Sequence, residues 1–259
     1  MNVTRGIFPD CETEAIAQLV NLRSAAGKYL GSGLRTEEDY FDAEQNARTV
    51  RNAELYYRTM FTGATSSWNL RDSHMADTLE ALSRHLSRRG DPAKIVVWAH
   101  NSHVGDARAT EMGREGELNL GELARERYGP SCRLIGLTTH HGRVTAASDW
   151  GLDAERKRVR PSLQRSYERL FHDVGHPRFY LSLDDLGEAS AGLREERLHR
   201  AIGVVYRPET ERRSHYFHVN LVEQFDGVIH IDETTALEPL ERSSEWETGE
   251  APETFPSGM

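Results

Sequence analysis

The chain has 259 residues, a formal charge of −9 and an isoelectric point near 5.8, with 37% hydrophobic and 28% charged residues. That length suits one large domain with a substantial core. The acidic balance excludes a general nucleic-acid surface, which needs clustered Lys and Arg against phosphate. Two cysteines, Cys11 and Cys132, are too few for a disulfide framework and lack metal spacing. The N-terminal residues carry no signal-peptide core, and no apolar run approaches the roughly 18 residues of a membrane span. A cytoplasmic setting without membrane or nucleic-acid partners is therefore expected.

In chain order, apolar residues at helical spacing predict three helices in the first third. One lies around Ile16, Leu19, Val20 and Leu22, a second carries Ala43, Ala47, Val50, Tyr57 and Phe61, and a third carries Met75, Leu79, Leu82 and Leu86. Gly31-Ser32-Gly33 and the small polar run from Gly63 to Ser67 separate them as loops. From Lys94 onward, short β-branched runs alternate with helices. Strands are predicted at Ile95–Ala99, Leu134–Thr138, Val144–Ala147, Phe179–Leu183, Gly203–Tyr206 and Val228–Ile231, and helices at Leu118–Tyr128 and Ser162–Asp173. This alternation predicts an α/β fold with a largely parallel sheet flanked by helices, behind a helical N-terminal third. Residues 11–240 are expected to form the domain, and 241–259 a weakly packed acidic tail. No Gly-rich phosphate-binding fingerprint follows a strand in the required order.

Three polar runs carry candidate chemistry. In Trp68-Asn69-Leu70-Arg71-Asp72-Ser73-His74, expected just before or within the first turn of the third helix, Arg71 offers a planar cation for a carboxylate or developing oxyanion, and Asp72 can orient Arg71 or a histidine. Asn69 or Asp72 can equally serve as a helix cap. In Lys94-Ile-Val-Val-Trp-Ala-His100-Asn101-Ser102-His103-Val-Gly-Asp106, an apolar run delivers two histidines to the expected carboxyl end of a strand, where ligands gather in open α/β sheets. Either imidazole suits general acid–base work near neutral pH. The alternative is a metal held by both histidines with Asp106 as a third ligand, at a spacing without zinc specificity. The third run takes a strand into a polar loop bearing His215 and Tyr216, both able to hydrogen-bond a substrate oxygen.

The Trp68 to Met75 run, the Val97 to Asp106 run, and the stretch from Tyr206-Arg207-Pro208-Glu209-Thr210-Glu211 to Phe225-Asp226, in that order, resemble the erythromycin esterase family from about Cys11 to Leu240. The resemblance implies a hydrolase for an ester or macrolide lactone, in a fold unrelated to the Ser-His-Asp hydrolases, with water activated by histidine and no required metal. It implies that His100 and His103 line the cleft and that Arg71 lies near it. Members are usually longer and carry a Gly-Glu-x-x-His-Gly motif whose histidine is the proposed base; this sequence contains no such motif. The expected site therefore has His100, His103 and Arg71 as catalytic residues. Asn69, Asp72, His74, Asn101, Asp106, His215 and Tyr216 are the expected substrate-binding residues, with no metal and no cofactor. Impaired activity is expected of this short chain, together with self-association or a missing N-terminal segment. The alternatives are a non-catalytic binding or partner subunit that keeps the cleft, and a metallohydrolase using His100, His103 and Asp106.

Overall fold

A computed structural model describes residues 36–59, 64–184, 186–187 and 191–240. The helix expected around Ile16 and the acidic tail lie outside the described residues. Two compact units divide the chain: residues 1–98 with 117–123, and residues 99–116 with 124–259.

The first unit is built on helices α1 (Glu37–Thr59) and α2 (Ala64–Leu86). Thr36 starts α1 with a reciprocal box: its Oγ1 accepts the Asp39 amide at 3.1 Å while its own amide donates to Asp39 Oδ2 at 2.9 Å. Three acidic residues in the first turn and Arg58 in the last complement the helix dipole. The two helices meet through Phe41 stacked on His85, with ring centroids 4.1 Å apart, and through Asn52 Nδ2 at 2.7 Å from His74 Nδ1. The small polar run after Gly63 belongs to α2 rather than to a loop, because Thr65, Ser66 and Ser67 are residue types that helix N-termini favour. Consequently the Trp68 to His74 run lies inside α2, beyond its first turn. The expected strand Ile95–Ala99 forms no ladder: a β-branched run without a paired neighbour remains merely extended.

The second unit begins with α3 (Asn101–Val104), a 3-10 turn (Ala107–Ala109) and α4 (Glu111–Arg114). Helix α5 (Leu120–Tyr128) spans the boundary in sequence between the units. There follow β1 (Ile135–Ala146), β2 (Glu155–Val159), α6 (Tyr167–Asp173), β3 (Arg178–Ser182), α7 (Ala191–Arg194), β4 (Arg197–Arg200), α8 (Glu211–Ser214), β5 (Tyr216–Val219), α9 (Leu221–Gln224) and β6 (Gly227–Thr234). A four-stranded sheet runs β2-β1-β6-β3, and β4 pairs with β5 separately.

Among the described strands β1 and β6 are the one parallel pair; β1–β2, β3–β6 and β4–β5 are antiparallel, so the sheet is mixed and not largely parallel. The connection from β1 to β2, residues 147–154, is too short for the crossover that a parallel pair requires. The expected strands Leu134–Thr138 and Val144–Ala147 merge into β1, and Gly203–Tyr206 contributes one isolated bridge, Val205 to Ala147. One core gathers Leu134, Tyr167, Phe171, Phe217, Leu221, Phe225 and Val228 between the sheet, α6 and α9. Burying each large side chain there contributes about 1.5–3 kcal/mol. A smaller core joins Ala146, Val159 and Tyr206.

Candidate functional site

The His100 to His103 run forms a single helical turn, and buried polar partners hold it. His100 is the N-cap of α3: its Nδ1 accepts the Ser102 amide at 3.2 Å and lies 2.8 Å from Ser102 Oγ. Because Nδ1 accepts, Nε2 carries the proton and donates to the Ile202 carbonyl at 3.0 Å. Burial lowers the His100 pKa, opposed by that hydrogen bond to Ile202. Both ring nitrogens of His100 are thereby engaged in holding the turn. His103 follows one turn later, half-buried, in the last turn of α3.

Asn101 fixes the turn to the sheet. Its Oδ1 accepts the Leu137 amide at 3.0 Å and its Nδ2 donates to the Leu137 carbonyl at 2.7 Å, which settles the amide orientation. Nδ2 also lies 3.3 Å from His199 Nε2, and His199 Nδ1 lies 2.8 Å from Glu168 Oε1. The chain Glu168–His199–Asn101 thus runs from α6 through β4 to α3 with every side chain buried. Asn101 ties the turn to β1 and to His199.

Asp106 is committed elsewhere. It caps the 3-10 turn through the Arg108 amide, takes Arg108 Nη2 at 2.7 Å and Arg125 Nη1 at 3.2 Å, and is held below the usual carboxylate range. Burial alone would raise its pKa; the hydrogen bonds and charge of Arg108, then Arg125, outweigh that. Arg125 goes on to Asp226 Oδ1 at 2.9 Å, and Asp226 Oδ2 accepts the Leu134 amide at the entry to β1. Among the described residues, His100, His103 and Asp106 do not gather into a metal-ligand cluster. The physical reason is that two arginines already neutralise Asp106.

His215 and Tyr216 also serve the framework. His215 closes α8, receives the Arg207 amide at 2.9 Å and lies 3.1 Å from the Ala201 carbonyl, and burial lowers its pKa. Tyr216 opens β5 rather than sitting in a loop; its hydroxyl accepts the Leu163 amide at 3.1 Å, and burial pushes its pKa up. Next to them the buried Arg200 donates to Glu211 Oε1 and to the carbonyls of Arg160, Thr139 and His140.

In the first unit, the Trp68 to His74 run grips a backbone segment. Trp68 Nε1 donates to the Leu118 carbonyl at 2.9 Å, Asn69 Oδ1 accepts the Leu118 amide at 2.9 Å, and Asp72 Oδ2 accepts the Leu120 amide at 3.0 Å. Spacings of four (Trp68 to Asp72) and three (Asn69 to Asp72) set Asp72 beside both of the other side chains on α2. Arg71 lies over the Trp68 ring, 4.7 Å from its centroid, with its Nε 3.8 Å from Asp72 Oδ1. His74 joins α1 to α2, and burial lowers its pKa.

A second titratable cluster was not legible in the sequence. His140 on β1, His172 on α6 and Asp232 on β6 bring ligand-type atoms within 4.8 Å of one another. The positions are 60 residues apart between His172 and Asp232, so no spacing announces them. The one available signal was the paired histidines at 140 and 141 following a strand pattern. Burial and the neighbouring His172 push the His140 pKa down to about 4.

Residues 2–234 match the family model described as erythromycin esterase. Among solved structures, a succinoglycan biosynthesis protein is similar at 22% identity and a TM-score of 0.62, covering 86% of this chain and 51% of its own. A Bacillus cereus protein is similar at 20% and 0.64, covering 86% and 53%. A mutant of the erythromycin esterase EreC in its open conformation is similar at 17% and 0.55, covering 86% and 52%. These likenesses establish the fold, and the chain spans about half the length of the solved structures it matches.

Proposed function

The chain belongs to the erythromycin esterase family, and from that premise we propose that it hydrolyses a carboxylic ester or macrolide lactone by histidine-assisted attack of water. The observation that supports this most is the His100 to His103 turn, held rigid by Asn101, His199 and Glu168. A general base must be positioned to within a fraction of an ångström, and buried supporting hydrogen bonds supply such positioning. His103, half-buried in that turn, is the histidine proposed to take the proton from water. Arg71 is carried as the cationic candidate on the family resemblance alone.

The test is turnover of an aryl ester and of a macrolide lactone by the purified chain, followed by absorbance and by mass spectrometry for the gain of one water. His103→Ala is expected to lower kcat about 100-fold or more with little change in stability. An unchanged kcat/KM in that variant would remove His103 as the base.

A further inference from the structure

Beyond the hydrolytic reading, and independent of it, we propose that His140, His172 and Asp232 form a binding site for one borderline divalent transition-metal ion of the zinc type. Placement is the first reason. In the parallel β1–β6 pair, His140 falls between the registered positions Thr139↔Ile231 and His141↔Glu233, hence opposite Asp232. Residues opposite each other in a parallel pair share a face, so both side chains rise toward the same side, from the carboxyl-terminal half of the paired stretch, 135–142 against 227–234. Helix α6 supplies His172 over that face. The carboxyl ends of parallel strands are where α/β folds place ligands.

Geometry is the second reason. The His140 and His172 rings stack at a centroid distance of 3.6 Å with only 9° between their planes. Imidazole lone pairs lie in the ring planes, so the two rings must tilt out of this stack to converge on one ion; their ligand-type atoms and those of Asp232 already lie within 4.8 Å of one another, against roughly 3.4 Å in a tetrahedral site with metal–nitrogen bonds of about 2.1 Å. Stacking of this kind has no hydrogen bond of its own. The Nε2 atoms of both rings make no hydrogen bond among the described residues, whereas the Nδ1 atoms do: His140 to Ser162 Oγ at 2.5 Å and His172 to Asp232 Oδ1 at 2.7 Å.

The surroundings are the third. A metal-binding imidazole normally has its other nitrogen held by a fixed partner; His140 Nδ1 lies 2.5 Å from Ser162 Oγ and 3.4 Å from the Ser162 amide, and binding through Nε2 requires the tautomer in which Nδ1–H donates to Ser162 Oγ. Asp232 is oriented in turn by His230 Nε2 at 3.4 Å, and His230 is fixed from its far side by Thr138 Oγ1 at 2.9 Å. The nearby Arg200 charge is taken up by Glu211 and three carbonyls, which limits its repulsion of a cation. His172 keeps 34% side-chain exposure and Asp232 18%, leaving an entry path. Two imidazoles with one carboxylate suit zinc, cobalt or nickel; magnesium and calcium require oxygen donors.

The full chain, stripped with a chelator and dialysed, is titrated with zinc and separately with magnesium by calorimetry, with thermal melting in parallel. The expected result is one zinc per chain, a raised melting temperature and no magnesium heat. His172→Gln, at a part-exposed position that leaves folding intact by circular dichroism, is expected to weaken zinc binding about 10- to 100-fold, and Asp232→Asn similarly. Cobalt(II) is expected to give ligand-field absorption in the wild type that is lost in His172→Gln. Absence of saturable zinc binding in the wild type would overturn the proposal. So would equal zinc affinity in the wild type and His172→Gln.

Discussion

At Glu168, a carboxylate without solvent contact accepts the Arg200 amide at 2.9 Å and lies 2.8 Å from His199 Nδ1. Burial alone would raise its pKa, but the hydrogen bond and charge of His199, then Arg200, outweigh burial and hold it below the ordinary carboxylate value. A folded-state pKa below the unfolded one contributes stability that is complete above the unfolded value and lost as pH falls through the folded value. Glu168→Gln is therefore expected to lose about 2–4 kcal/mol at neutral pH, since a buried hydrogen-bonded partner is removed. Below the unfolded carboxylate value its stability should fall less steeply than that of the wild type. Urea denaturation at neutral and acidic pH measures both, and parallel acid profiles for the two proteins would contradict the assignment of an ionised Glu168. Asn101→Ala tests the other end of the same chain of contacts. It leaves the Leu137 amide and carbonyl without their side-chain partner, and a cost of about 1–3 kcal/mol is expected, together with a lower kcat. Restoration of activity by Asn101→Gln without restored stability would contradict positioning through this amide.

Strand β1 shows at the element scale why some of the fold was legible and some was not. The runs Leu134–Thr138 and Val144–Ala147 are short and apolar as strands can be, and the break between them at His140 to Gly142 reads as a gap. In the structure the chain continues because Gly142 adopts φ of 120°, and there it pairs with Val159 on one side and Thr234 on the other. A Cβ on Gly142 would meet the backbone oxygen and nitrogen of Thr234. Gly142→Ala is expected to cost about 2–5 kcal/mol, combining the left-handed backbone with overpacking between strands. Urea midpoints measure this, and a change under about 0.5 kcal/mol would show that the strand can shift away. Strand β2 escaped notice for a different reason. Beside Val159 its other buried position is Lys157, whose Nζ reaches Ser148 Oγ at 2.7 Å and Glu155 Oε1 at 3.5 Å, so a buried charge breaks the apolar alternation on which strand detection rests. Helices α1, α2 and α5 were legible because each keeps its apolar spacing over two turns or more, whereas the four-residue helices are too short for any period to show.

Across the whole molecule, the sequence located the three motifs but not what their residues do. Asn69, Asp72, Asn101, Asp106, His215 and Tyr216 all hydrogen-bond to backbone within their own units, and for Asn69, Asp72, Asn101 and Tyr216 the partner lies 36 or more residues away. Histidine titration gives a property of the molecule as a whole. His74 in the first unit and His100 and His215 in the second all have pKa values lowered from 6.5, with burial the largest cause in each. In the unfolded chain each would bind a proton on acidification through about 6.5, while in the folded protein it resists, so the unfolded state binds more protons and stability rises with pH. Their contribution is full above about 6.5 and is lost as pH falls through the lower folded values. The carboxylates Asp106 and Glu168, also lowered, act with the same sign but in a more acidic window. Stability is thus expected to begin falling near pH 6.5, with a second and steeper loss below about 4.5. Melting temperatures taken in chelator-containing buffers from neutral pH downward measure this. Substituting His215→Gln should flatten the first phase and leave the second in place. A melting temperature that stays level until the carboxylate range would mean that these histidines titrate alike in both states, and that their burial carries no linkage to folding.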